Sequence, residues 1–426
     1  MIHFLLKKYK LFQMRSQYIK IISTILVYFG IFSFDLQAQI PVDSTAVENK
    51  LDTLRKKDVF DVIEGLFDIK KPETMDTTVR KFNFSVLPFT TEVPGGGNIL
   101  VTSLSASFYL GNRKNTNQSE VWLEPYIDFE NRYGISVRSY IWLKQNTWAL
   151  RGDMRIYNYP EYTWGLGKSN SYENKLLVDR SYLRIYQHFL RRVSPGLLVG
   201  LGYNLDVHSN VHTDSSDKTL AEYTNYRYGT ENYVRSISSG INFNLLYDTR
   251  GNSINPSKGD YINLEYRNNF KFLGSDRWWH SLYFDVRKYY RLHNSSKNQN
   301  LIALWSYFWT TFNSSPPYFD LPSIGWDSFN SSGRGFQQGR FRSKSLFYSE
   351  AEYRRDITRD GLLGFVLFVN VNSLNGPKSK LFSNWNLGAG GGLRIKVDRE
   401  SGTNISLDYA VSRDYCGPYF TLGEYF

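Results

Sequence analysis

Residues 384–412 read NWNLGAGGGLRIKVDRESGTNISLDYAVS, and the alternation inside this stretch decides the fold class. Leu387, Ala389, Gly391, Leu393, Ile395 and Val397 fall on one face, and Gly388, Gly390, Gly392, Arg394 and Lys396 on the other. After a short polar turn from Asp398 to Ser401 the pattern resumes, with Ile405, Leu407, Tyr409 and Val411 opposite Ser406, Asp408, Ala410 and Ser412. A side-chain period of two belongs to a β-strand, so this is a hairpin with one apolar and one polar face. Working outward, sixteen segments of this kind run from 82–88 to 418–426, separated by clusters of Gly, Asn, Asp, Ser and Pro. An even number of strands about ten residues long is what an up-and-down transmembrane barrel requires.

Composition narrows the alternatives. The 426 residues include 10 Trp, 32 Tyr and 29 Phe, which excludes a disordered chain, and a single cysteine, Cys416, which excludes an intramolecular disulfide framework or a multi-thiolate zinc site. Beyond residue 40 no apolar run approaches the roughly 18 residues a spanning helix needs. Mean hydropathy is −0.42, as expected where apolar and polar positions alternate. A soluble β-sandwich is the competing fold, and loop lengths decide against it. Turns after even-numbered segments are mostly short, as at Gln145-Asn146, whereas Asn158 to Leu176, His208 to Tyr233 and Asn313 to Ser345 follow odd-numbered ones. Short turns at one rim and long loops at the other are the pattern of outer-membrane barrels. Trp278-Trp279, Tyr289-Tyr290, Trp305 and Trp309 are expected to form the interfacial aromatic girdles.

The N-terminus has a different character. Lys7, Lys8, Lys10, Arg15 and Lys20 precede an apolar stretch from Ile21 to Phe34, and Ala38 offers a small residue for cleavage, so residues 1–38 are expected to be a signal peptide. Its removal takes away five positive charges and one negative, lowering the formal net charge from +11 to +7. The remaining basicity gives no case for nucleic acid. Residues 39–81 read as a periplasmic tail, helical or disordered, with Val47, Leu51, Leu54, Val59, Val62, Ile63 and Leu66 at helix-like spacing. The expected architecture is therefore all-β: a sixteen-stranded antiparallel barrel over 82–426, in the outer membrane of a diderm bacterium, preceded by this tail.

Four stretches resemble the BamA/TamA-type outer-membrane assembly factors, also called bacterial surface antigen barrels, over roughly Phe82 to Phe426. Asp248-Thr249-Arg250 followed by Pro256-Ser257-Lys258-Gly259 is similar to the family's turn between two mid-barrel strands; Asp248 and Arg250 can pair across it, Pro256 fixes φ, and Gly259 is free of Cβ restriction. Ser332-Gly333-Arg334-Gly335-Phe336, inside the longest loop, resembles the family's Arg-Gly-Phe element. That resemblance implies a loop folded into the lumen, with Arg334 meeting an acid on the wall. Glu352 is the first candidate and Glu350 the second, both sharing a strand face with Arg354. Tyr162-Thr163-Trp164-Gly165-Leu166-Gly167 is similar to a third family signature. Phe420, Leu422, Gly423 and Phe426 resemble the C-terminal assembly signal. Two departures stand out: Asn370 occupies the thirteenth strand where many members have Asp, and 39–81 is too short for the periplasmic POTRA domains that well-studied members carry.

Enzyme signatures are missing: there is no Gly-x-Ser-x-Gly elbow and no His-Glu-x-x-His helix. His208 and His212 lie four apart in what reads as a long loop, where solvated histidines are expected rather than a metal site. No cofactor is expected. Three roles follow: an accessory factor in insertion or export of outer-membrane and surface proteins, or in lipid movement, through a seam between first and last strands; a pore plugged by the 313–345 loop; or a scaffold. The expected partners are outer-membrane lipid and, through residues 39–81, periplasmic or outer-membrane assembly proteins.

Overall fold

In the computed structural model the chain divides into two compact units, residues 1–51 and 52–426. The structure describes residues 57–59, 83–92, 98–128, 132–158, 160–167, 171–213, 218–231, 235–292, 298–312, 316–328, 331–376 and 380–426, all in the second unit. The expected signal peptide, and all of the expected tail except residues 57–59, lie outside them.

Consecutive strands pair antiparallel in one continuous ladder: β1 (Asn83–Glu92), β2 (Asn98–Phe108), β3 (Ser119–Ile127), β4 (Tyr133–Trp142), β5 (Trp148–Asn158), β7 (Leu176–Ser194), β8 (Leu197–His212) and β9 (Ser236–Asp248). It continues through β10 (Gly259–Asn269), β11 (Trp279–Arg291), β12 (Asn300–Phe312), β13 (Ser345–Asp356), β14 (Leu363–Leu374), β15 (Asn386–Asp398), β16 (Thr403–Ser412) and β17 (Cys416–Leu422). These are the sixteen wall strands. A seventeenth, β6 (Glu161–Thr163), hidden within the expected loop after β5, adds three residues against the outward extension of β7. Three residues are too few for a periodic signal.

The wall is apolar outside and polar inside. Val199, Leu201, Phe243, Leu245, Leu367, Val369 and Leu393 are exposed, while their neighbours Asn242, Asn244, Glu350, Glu352, Arg354 and Asn370 are buried. A soluble sandwich would show the reverse. The alternation slips once in the opening stretch: a register shift between Lys396 and Asp398 turns Val397 inward, where it is buried.

Three expectations are corrected. Of the residues assigned to girdles, Trp278 and Tyr290 are exposed, but Trp279, Tyr289 and Trp305 are buried in the lumen and Trp309 packs against the same interior cluster as Trp305. Each adjacent pair straddles the pleat, so one member must point in. The last strand ends at Leu422 instead of 426: at Gly423 (φ +92°) the chain leaves the sheet and turns into the lumen, burying Phe426 against Trp305 and Tyr289. His208 sits in the extended β8, buried, with its ring stacked on Tyr182 at 4.6 Å.

Candidate functional site: lumen lock, short-turn rim and seam

The connection from β12 to β13 folds into the barrel, and most of its described residues between 316 and 344 are buried. Arg334 stands at its tip in a tight turn closed by Phe336 N–H donating to Gly333 O (2.8 Å). Its guanidinium donates through Nη2 to Glu350 and Glu352 on β13, and through Nη1 to Asp408 Oδ2 on β16 (2.5 Å). The guanidinium also lies between two rings, 3.6 Å from the centroid of Phe368 and 4.2 Å from that of Tyr425. Asn370 Nδ2 donates to the Arg334 carbonyl (2.9 Å), so the amide at the position of the family's acid holds the loop by its backbone.

The network extends further. Arg354 Nε donates to Glu352 (2.6 Å), Arg394 Nη1 to Asp408 Oδ1 (2.5 Å) and Arg394 Nε to Glu424 (2.8 Å), while Arg354 Nη2 donates to the Phe426 carbonyl (2.8 Å). Arg334, Arg354 and Arg394 thus share Glu350, Glu352, Asp408 and Glu424, all buried. Paired and hydrogen-bonded charges of this kind are tolerated in an interior only as a complete set. The family resemblance points to Arg334 with Glu352 and Glu350; Asp408, Arg394 and Glu424 were not anticipated. Parity places Asp408 and Arg394 on the polar faces of β16 and β15, but nothing in a linear sequence says that these strands converge on residue 334.

Gly335 and Phe336 complete the tip. Gly335 N–H donates to Tyr419 Oη (2.8 Å), and Phe336 packs edge-on to Phe341. At φ +91°, a Cβ on Gly335 would lie 2.9 Å from the Val411 carbonyl oxygen. Gly335→Ala is therefore expected to lower barrel stability by about 1–3 kcal/mol, the usual cost of a forced left-handed residue. Its urea-unfolding midpoint checks this; an unchanged midpoint means the loop tip contributes no stability.

A second anchor holds the loop on the opposite wall. Arg342 Nη2 and Trp326 Nε1 donate to Glu161 Oε1 on β6 (2.6 and 3.1 Å), and Arg180 Nη2 on β7 donates to Glu161 Oε2 (2.6 Å). Asp320 accepts from Ser238 Oγ (2.6 Å) and pairs with His208 Nε2 (2.8 Å). Among the described residues no cluster suited to a metal ion occurs.

At the other rim, the β9–β10 turn spans the mouth on the side of the short turns. Arg250 grips Asp248 through Nε (2.9 Å) and Nη2 (2.8 Å), while Tyr140 Oη donates to the same carboxylate (3.2 Å). Burial works against the Arg250 charge, but Asp248 and its hydrogen bonds outweigh that and hold the guanidinium well above its ordinary range. Pro256 is buried, and Gly259 (φ +102°) puts its α-carbon where a side chain would meet the Thr249 carbonyl at 2.7 Å. Asn252 Nδ2 donates to Ser401 O (2.6 Å) and Asn255 Nδ2 to Gly402 O (3.2 Å), so this turn reaches the β15–β16 turn across the mouth. Between this turn and the loop lies a cavity of about 320 Å³, lined by Arg151, Tyr261 and Glu265 on one side and by the chain terminus, Glu424 to Phe426, on the other. Lys57 N–H donates to Asp360 O (3.1 Å) and Arg399 N–H to Asp58 Oδ2 (3.2 Å), which sets residues 57–58 at the same rim.

Backbone registers join neighbouring wall strands from β1 round to β17. Among the described residues none joins β17 to β1; the flanks meet through Phe89 and Phe420, whose ring centroids are 5.8 Å apart. Pro88 and Pro418 lie one in each flank, and a residue without an N–H is suited to a sheet edge. Phe84 and Val86, on the outward face at the start of β1, are exposed.

Residues 129–426 match the Omp85 superfamily domain. Among solved structures, the chain resembles BamA from Haemophilus ducreyi lacking POTRA domains 1–3, with a TM-score of 0.51, 14% identity, and coverage of 81% of this chain and 70% of that one. It resembles CdiB from Acinetobacter baumannii with a TM-score of 0.50, 12% identity, and coverage of 81% of this chain and 65% of that one. Among curated proteins none matches the sequence. The continuous antiparallel wall and the family match over more than half of the sequence lead to one assignment: the chain belongs to the Omp85 superfamily.

Proposed function

We propose that this chain is an outer-membrane barrel that assists the insertion or export of outer-membrane or surface proteins through the seam between β1 and β17. The observation that carries the reading is the seam itself. Among the described residues fifteen wall junctions are held by backbone ladders, but this one rests on side chains, and the residues able to extend β17 are folded into the lumen. An unpaired edge beside lipid is a template for an incoming strand by β-augmentation. The terminal segment with Phe420, Leu422, Gly423 and Phe426, read as the protein's own assembly signal, must act before the lumen closes over Phe426. The working partners in this reading are lipid and assembly proteins that meet the periplasmic rim near residues 57–58. The test is a quantitative outer-membrane proteome after depletion. Specific loss of other barrels or surface lipoproteins supports the reading; an unchanged proteome with altered solute uptake overturns it.

The 320 Å³ cavity beneath the loop favours a second reading, a pore with the loop as its plug. In planar bilayers the parent is expected to show low, flickering conductance. Arg334→Ala is expected to raise it modestly, since Glu161 and Asp320 still hold the loop, and Arg334→Ala with Arg342→Ala to raise it severalfold. A large steady conductance in the parent would favour the pore.

A further inference from the structure

The outer rim carries a built feature that neither the lumen nor the seam uses. The β10–β11 connection is a single 3-10 turn, Lys271–Leu273, capped by Gly274 at φ +94°. Phe272, in the middle of that turn, is 77% exposed, and Lys271 beside it is exposed too. This is a fastened projection. Phe270 N–H donates to Ser239 O (3.0 Å), Ser239 Oγ to Leu273 O (2.7 Å), Asp276 N–H to Ile237 O (3.0 Å), and Ile237 N–H to Asp276 Oδ2 (2.8 Å), tying both ends of the connection to β9. Asp276 spends its carboxylate on that backbone bond. Among the described residues Lys271 has no ion pair, and Arg277 presents an exposed guanidinium stacked 3.9 Å from the ring centroid of Tyr228.

Below the projection the outer wall is aromatic. Trp278 stacks on His280 (5.2 Å between centroids), His280 stacks on Phe312 (5.1 Å), and Tyr266 Oη bonds His280 Nδ1 (2.8 Å). An apolar residue in the turn, an aromatic shelf on the wall beside it and two exposed cations, Lys271 next to Phe272 and Arg277 next to Trp278, match a lipid: acyl chain against the rings, anionic headgroup against Lys271 and Arg277. Counted along the ladder, β10 is also diametrically opposite the β1/β17 seam.

We propose that the Phe270–Trp278 projection is a binding site for a phosphate-bearing lipid headgroup in the outer leaflet, anchoring the barrel wall opposite the seam. The proposal rests on the outer-membrane reading above. It commits to lipid because the cations flank an exposed phenyl ring and an aromatic shelf, apolar surfaces that a soluble phosphate would leave uncovered.

The experiment uses the full-length barrel. Folding into phosphatidylcholine vesicles, followed by heat-modified gel mobility, tests the membrane reading first; failure to insert overturns both. The inserted or detergent-held protein is then titrated, by native mass spectrometry, with bis-phosphorylated lipid A, with the same lipid stripped of phosphates, and with inorganic phosphate. The expected result is preference for the phosphorylated lipid by about tenfold or more, lost in Lys271→Glu, kept within about twofold in Lys271→Arg, and reduced in Phe272→Ser. Arg413→Glu, at a highly exposed cation on the β16–β17 turn, should leave the preference unchanged. Equal binding of the two lipids, or an unaffected Lys271→Glu protein that still inserts, overturns the proposal, as does inorganic phosphate binding as tightly as the lipid.

Discussion

Arg334→Ala is expected to destabilise the barrel by about 3–5 kcal/mol, the cost of removing one partner from a buried ion network. The network also predicts which second substitution relieves that cost. Without Arg334, Glu352 keeps Arg354 and Asp408 keeps Arg394, whereas Glu350 is left with the hydroxyl of Tyr348. Glu350 is therefore the orphaned charge. Glu350→Gln in the Arg334→Ala background should recover about half of the lost stability, because a neutral amide no longer demands a counter-charge. Glu352→Gln should recover less, since it strands Arg354 in turn. Arg334→Lys should behave nearly as badly as alanine: one ammonium cannot hold three carboxylates in the geometry that a planar fork allows. Urea-unfolding midpoints of the single and double variants check the pattern. If Glu350→Gln and Arg334→Ala are simply additive, the pair does not interact and the lock is not electrostatic.

The same network explains what a linear reading can and cannot deliver here. Strand existence, number and facing were legible because alternation is local: each residue reports its side of the wall through its immediate neighbours. Glu350 and Glu352 were legible as inward-facing for that reason, and Arg334 through the resemblance of its Arg-Gly-Phe setting. The convergence of Asp408, Arg394 and Glu424 on the same point was not. It depends on how far the loop descends, on the bend at Gly423 and on which walls approach across the lumen, none of which leaves a periodic trace. His208 shows the same limit: four residues before His212 and among polar neighbours, it reads as loop, yet β8 continues past the membrane rim and buries it against Asp320. The reach of the β9–β10 turn to Ser401 and Gly402 is likewise a consequence of closure, since only a closed wall brings the turns of β9 and β15 to one mouth.

Cross-linking the seam is expected to abolish the proposed activity while leaving the fold intact. With Cys416 replaced by serine to remove the exposed native thiol, Phe89→Cys and Phe420→Cys place thiols on the two flanks where the parent rings touch. A short bifunctional thiol reagent with a cleavable spacer should join them. Each neighbouring wall junction is held by a full ladder, so a tether at this one position adds no strain elsewhere and the heat-modified mobility should not fall. If the barrel works by presenting the β1 edge to a client strand, the tethered protein must lose nearly all ability to complement a depleted strain, and cleavage of the spacer must restore it. If instead the lumen conducts a solute, tethering should leave transport unchanged, because Arg334 and Arg342 pair with acids on β13, β16 and β6 and not with either tethered residue. Releasing the terminus gives the reciprocal case. Glu424→Ala with Phe426→Ala removes the acid that Arg394 holds and the ring packed on Trp305, freeing the last residues to continue β17 against β1. That variant should close the edge with new backbone bonds, slow amide exchange at Phe84 to Val86, and reduce activity without any cross-link. Unchanged exchange in that variant, or full activity in the tethered one, would remove the seam from the mechanism.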